Sequence, residues 1–233
     1  MNQSDFEKYL GELSIFLTEK QREQLEKYYE LLVEYNKVMN LTGITEHEEV
    51  YLKHFYDSLT LSRVCDLNTI DSLCDIGTGA GFPGMVLKIV FPNLKVTLVD
   101  SLNKRIEFLK VVVKELGLEN IELVSARAEE YAMKKRECFD VVTARAVAPL
   151  PILLEYSIPL VKESKYFIAM KGSKREDEES SNALKLLDCK IEKVDLFSLP
   201  KEESMRTLYV IKKIKKTSLK YPRKFSDMKK KPL

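Results

Sequence analysis

The 233-residue sequence contains only two histidines, His47 and His54, and four cysteines, Cys65, Cys74, Cys138 and Cys189, none of them in a CxxC pair. That scarcity argues against a zinc site or a disulfide framework and leaves buried, reduced thiols as the expectation. No uncharged apolar run approaches the ~20 residues of a membrane span, and Met1 to Lys8 is polar and acidic rather than signal-like, so neither insertion nor export is expected. Glycine is scarce too. Of eight glycines, four (Gly77, Gly79, Gly81 and Gly84) fall in one short stretch. Such crowding marks a loop whose backbone turns sharply and comes close to something that side chains would keep away.

What the sequence does hold is an ordinary globular composition, 45% apolar and 32% charged, with charge segregated along the chain. Residues 1–66 sum to about −6 and residues 201–233 to about +9. A basic end on a near-neutral body suits a polyanion such as nucleic acid, and it equally suits a solubilising tail.

Thr18 with Gln21, and Thr45 with Glu48, have capping-box spacing ahead of apolar residues at helical intervals, and Ser4 is a further N-cap candidate. Residues 1–66 therefore read as a helical extension whose apolar faces pack on the domain C-terminal to it. From residue 67 to 214 short apolar runs alternate with amphipathic segments. Strands are expected at Ser72–Ile76, Lys95–Val99, Ile121–Val124, Phe139–Thr143 and Tyr166–Met170, and helices at Phe82–Phe91, Lys104–Leu116 and Leu150–Leu160. This order predicts a doubly wound, Rossmann-like α/β sheet, mostly parallel. After a helix near Asn182–Leu187, the runs Ile191–Phe197 and Thr207–Ile214 are joined too closely for a crossover and should pair antiparallel. Residues 215–233 read as an extended basic tail.

In a doubly wound sheet the ligand lies beyond the carboxyl ends of the strands, above the first strand-to-helix turn. Gly79, Gly81 and Gly84 make GxGxxG there, and Asp100 ends the second strand, where an acid can hold both ribose hydroxyls. Taken alone these would suit a dinucleotide and a nicotinamide-dependent oxidoreductase. Asp75 shifts the reading, because the loop runs Asp-x-Gly-x-Gly-x-Gly from Asp75 through Gly77. A carboxylate at that point would repel a pyrophosphate and attract the ammonium and sulfonium of S-adenosyl-L-methionine. Arg127, Ala128 and Glu129 follow the third strand, and Arg145, Ala146 and Pro149 the fourth, although by spacing alone both arginines read more readily as surface or salt-bridged. Lys104, Arg105 and Lys171 could line a basic approach, or simply be solvated.

Several segments in this order resemble one family, the RsmG (glucose-inhibited division protein B) small-subunit ribosomal RNA guanine-N7 methyltransferases. They are Asn36 to Thr42, His54 to Leu59, Asp75 to Gly84, Val99-Asp100-Ser101 with Lys104-Arg105, Arg127 to Glu130, Arg145 to Leu150, Lys171-Gly172, and Tyr221-Pro222-Arg223-Lys224. The resemblance implies a class I methyltransferase fold and a cytoplasmic enzyme methylating N7 of a guanine in the decoding region of 16S ribosomal RNA. Its substrate would be that RNA or the small ribosomal subunit. It also implies cofactor contacts at Gly77, Phe82, Ala128, Glu129 and Arg145, with Asp100 on the ribose. RNA contacts are expected at Lys104, Arg105, Arg127, Lys171, Arg223 and Lys224, with Arg145 and Lys171 the candidates for positioning the reactants. After Lys224 the chain departs from the family's usual proline-containing turn, with Phe225-Ser226-Asp227-Met228 instead. N7 attack needs no general base. His54 accordingly reads as a structural partner of Asp57, while a non-catalytic RNA-binding assembly factor stands as the other alternative.

Overall fold

In a computed structural model describing residues 1–233, the alternating segments form a seven-stranded sheet in the order β3-β2-β1-β4-β5-β7-β6. Strands β1 (Ser72–Ile76), β2 (Lys95–Asp100), β3 (Ile121–Ser125), β4 (Phe139–Arg145) and β5 (Val161–Lys171) are mutually parallel. Strand β7 (Met205–Lys213) runs antiparallel to β5 and to β6 (Cys189–Ser198), because the link between β6 and β7 is only a turn. Reversal of direction between β1→β2 and β1→β4 opens a crevice above β1, where the glycine loop lies.

One face of the sheet is covered by α1 (Gln3–Glu12), α2 (Glu19–Met39), α5 (Gly84–Val90) and α6 (Asn103–Glu115), which share a 38-residue apolar cluster with Leu73, Val96 and Leu98. Thr18 caps α2 in the expected box with Gln21. Ser4 does not cap α1, since Asn2 does so through Asp5 N–H, and Thr45 is no cap either, the next helix starting after Glu46 without a side-chain bond. That helical run is irregular: α3 (His47–Val50) widens to a π turn at Tyr51–Tyr56, resumes as α4 (Asp57–Leu59) and tightens to a 3-10 turn at Thr60–Arg63.

The opposite face carries α7 (Ala128–Lys134), α8 (Leu150–Ser157) and α9 (Ser181–Leu186) over a 25-residue cluster containing Cys74, Ile76, Val142 and Phe167. The short α7 was not expected from sequence. Nor was the C-terminal structure: instead of an extended tail, α10 (Phe225–Lys230) docks on α8, with Tyr221 and Met228 in the core. Arg136 donates to the Thr217 and Tyr221 carbonyls, each at 2.7 Å, and Arg223 grips the buried Glu155 carboxylate at 2.7 and 2.6 Å. The cysteines are free, but only Cys74 and Cys189 are buried, whereas Cys138 is exposed.

Candidate cofactor site

Four strand ends meet the glycine loop around a cavity of about 530 Å³. Its floor is the loop Gly77 to Ala80 with Phe82. The loop is hooked to β2, with the Gly77 and Thr78 N–H groups donating to the Val99 carbonyl at 2.8 and 3.1 Å and Gly79 N–H donating to Asp100 Oδ2 at 2.9 Å. Gly79 has φ +61°, and a Cβ there would meet nothing within 4 Å, so its bare backbone faces open space. Gly81, at φ +108°, answers a different demand. A Cβ on it would strike Leu109 and Met85 at 2.9 Å and the Tyr28 hydroxyl at 2.5 Å, so this glycine admits the N-terminal helix and does not line the cavity.

Asp75 is the main correction. It is fully buried beneath the loop and does not line the cavity. Alternation along β1 explains this, since Cys74 and Ile76 face the α7–α8 layer while Leu73 and Asp75 face the layer that includes α5. There Asp75 Oδ2 accepts Thr78 Oγ1–H at 2.7 Å and Gly84 N–H at 2.8 Å, fastening the loop to the first turn of α5. Burial pushes its carboxyl up to about 6. The electrostatic case against a pyrophosphate, which required this carboxylate at the ligand, therefore does not hold.

Asp100 does reach the cavity, 3% exposed, and its carboxylate also accepts Leu102 N–H at 2.9 Å and pairs with Arg105 Nη1 at 3.2 Å. Ala128 and Glu129 open α7 at the β3 end of the cavity, with Arg127 beside them, its side chain 60% exposed. Arg145 is both a wall residue and salt-bridged: Nη1 donates to Asp57 Oδ2 and to the Lys53 carbonyl at 3.0 Å, and the guanidinium lies 5.2 Å from the Phe82 ring centre.

Of the residues expected to meet RNA, only Arg105 and Arg127 line this cavity. Lys104 is exposed and donates to the Met39 carbonyl at 2.9 Å. Lys171 is held by Glu176 at 2.8 Å and the Ala148 carbonyl at 2.7 Å, Arg223 is held by Glu155, and Lys224 is exposed.

Wall residues not assigned to a site from sequence include Thr42, His54 and Phe225. His54 does not pair with Asp57. It stacks on Phe82 at 4.4 Å, its Nε2 lies 2.8 Å from Thr42 Oγ1, and Arg145 Nη2 approaches Nδ1 at 3.3 Å. Burial, then the neighbouring Arg145 cation, pushes its pKa down to about 3, so the ring is neutral at physiological pH. Phe225 is the first residue of α10, which brings the C-terminal segment to the cavity wall.

A family model described as GidB, rRNA small subunit methyltransferase G, matches residues 21–208. The chain is 48% identical over 237 residues to "Ribosomal RNA small subunit methyltransferase G" of Bacillus subtilis, covering 100% of this chain and 99% of that protein. It is 52% identical over 227 residues to the protein of the same name from Staphylococcus epidermidis, covering 96% and 95%. Among solved structures, TYW2 of M. jannaschii in complex with AdoMet aligns at TM-score 0.56 with 13% identity, over 69% of this chain and 76% of that one. A SAM-dependent methyltransferase from Aquifex aeolicus aligns at TM-score 0.53 with 17% identity, over 71% and 93%. The latter two show the shared fold of the sheet and its helices. The match across nearly the whole length makes the chain a member of the GidB family of rRNA small subunit methyltransferases G.

Proposed function

We propose that this protein transfers a methyl group from S-adenosyl-L-methionine to N7 of a guanine in the decoding-region loop of 16S ribosomal RNA, in a cytoplasmic setting. The observation that carries the reading is the cavity over the glycine loop, walled by Asp100, Glu129 and Arg145, in a chain of this family. Its volume of about 530 Å³ falls within the range of small-molecule sites, and the open space at Gly79 admits a ligand against the backbone. A nicotinamide oxidoreductase and a non-catalytic assembly factor are set aside by family membership.

The bound cofactor supplies an electrophilic methyl on a sulfonium. Guanine N7 offers an in-plane lone pair, so the N7–carbon bond forms as the sulfur–carbon bond breaks, with its electron pair kept by sulfur and no proton released. The chain's residues therefore have to bind and orient. Asp100 accepts three N–H groups already and, with about four lone-pair sites on a carboxylate, keeps room for a ribose hydroxyl. Ala128 and Glu129 would flank the adenosine, the Gly77–Gly79 backbone and Phe82 the methionine side. The buried salt bridge to Asp57 fixes Arg145 at the fourth strand end. Alignment of this kind can lower a bimolecular barrier by on the order of 7 kcal/mol.

Incubating the protein and methyl-labelled cofactor with small subunits, and separately with deproteinised 16S RNA lacking the modification, should label a single guanine at N7. Absence of label on either RNA, with the protein folded, would overturn the reading. Label at another atom would overturn the N7 assignment.

A further inference from the structure

Beside the cofactor cavity lies a second one of about 330 Å³. The two share His54, Arg145 and Ala146, so the Arg145 guanidinium stands in a common wall. Ala146 holds that wall with φ 54°, a left-handed backbone unfavourable for a residue with a Cβ. The charged side chains lining the second cavity are Lys53, Arg145, Lys171 and Arg206 with one carboxylate, Asp57. Lys53 is also paired with Glu49 at 2.7 Å and Glu202 at 3.1 Å, and Lys171 with Glu176 at 2.8 Å, so Arg145 and Arg206 are the cations whose carboxylate partner stands in the cavity itself. The Asp57 carboxylate is occupied, one oxygen by Arg145 Nη1 at 3.0 Å and the other by Arg206 Nε at 3.2 Å. Arg145 uses Nη1 twice and Nη2 once, so its Nε–H carries no bond within the chain. Met170, Phe197 and Leu208 supply apolar surface, and Gly172 leaves open space where a Cβ would stand.

We propose that this second cavity receives the target guanine, flipped out of its RNA, and recognises its O6 through the cationic donors around Arg145, leaving N7 turned toward the cofactor cavity. The proposal rests on the methyltransferase reading above. Along one edge guanine presents two acceptors, N7 and O6, whereas adenine presents N7 and an amino donor. Lysine and arginine side chains donate and cannot accept, so a wall of them matches the guanine edge and opposes the adenine amino group. The apolar residues cover the faces of a base taken out of its stack.

Gly172→Leu tests the cavity, because Gly172 lines it, its φ lies outside the left-handed region and a Cβ there meets nothing within 4 Å. S-adenosylmethionine affinity by calorimetry should stay within about twofold of wild type, while kcat/KM on deproteinised 16S RNA falls at least about 100-fold. Unaltered methyl transfer in this variant would overturn the proposal. Wild-type protein that binds the cofactor yet methylates no RNA would overturn the reading beneath it. A second measurement uses wild-type protein and a ligated RNA carrying an analogue at the mapped guanine. Inosine, which keeps N7 and O6, should be methylated within about tenfold of guanosine, and 2-aminopurine, which keeps N7 but lacks O6, should lose at least about 100-fold. Equal rates for the two, or the reverse order, would overturn recognition through O6.

Discussion

The Tyr28 hydroxyl donates to the Ala80 carbonyl at 2.5 Å, tying the second helix to the glycine loop across 52 residues of sequence. Tyr28 is fully buried, stacked on Phe55 at 5.5 Å, and burial raises its phenol pKa well above the ordinary value, so it is a permanent donor. The N-terminal helices thus set the shape of the cofactor cavity. Tyr28→Phe keeps the ring and strands the Ala80 carbonyl, which should cost about 1–3 kcal/mol in urea unfolding. Cofactor affinity should fall several-fold with it. Wild-type stability together with wild-type affinity would show the bond to be incidental.

Gly79 and Gly81 are two residues apart in one motif and should fail in opposite ways. At Gly81 a methyl group meets the Tyr28 hydroxyl, Leu109 and Met85, so Gly81→Ala should unfold the protein or destabilise it by more than about 2 kcal/mol. Gly79→Ala meets nothing and carries only the left-handed penalty of about 1–2 kcal/mol. It should remain folded while losing cofactor affinity at least tenfold. Circular dichroism melts and calorimetry separate the two, and a folded Gly81→Ala variant with normal melting would refute the assignment.

The strand order, the loop and Asp100 were legible because periodicity and glycine spacing are local signals. Asp75 was legible as a strand-end acid but not as a buried one. Its parity with Leu73 puts it on the α5 side of the sheet, and that depends on which face each layer covers. Thr42 meets His54, and His54 meets Arg145, only through tertiary packing, so no spacing along the chain announces these contacts. In the C-terminal segment, Tyr221, Phe225 and Met228 have helical spacing, but eight flanking basic residues between 215 and 231 masked it.

His54 and Asp75 should give opposed pH dependences. His54 has a folded pKa near 3, below its ordinary 6.5, so the unfolded chain takes up the proton first and stability falls as pH drops below about 6.5. Asp75 is raised to about 6 from 3.8, so the cost of burying its charge is relieved as pH drops from about 6 toward 4. Over that window the two slopes cancel, each up to about 1.4 kcal/mol per pH unit. Asp75→Asn should therefore lose stability more steeply than wild type between pH 6 and 4, and His54→Gln less steeply. Urea midpoints at unit pH intervals measure both, and parallel curves for all three proteins would contradict the assignments.

The docked C-terminal helix separates two roles that a basic extended tail would have merged. Arg223 secures a Glu155 side chain that is 1% exposed, so Arg223→Ala leaves a buried acid unpaired. A cost of about 3 kcal/mol is expected, at the low end for such a pair because Arg223 is itself partly exposed. Lys224, Lys229, Lys230 and Lys231 are exposed instead and available to phosphates. Replacing these four with Gln should leave the melting temperature nearly unchanged. It should also flatten the plot of log affinity for 16S RNA against log salt by about 0.7 for each phosphate contact removed. An unchanged salt slope in the quadruple variant would show that these lysines only solvate the surface, and that the segment's contribution is Tyr221, Phe225 and Met228 against the fold.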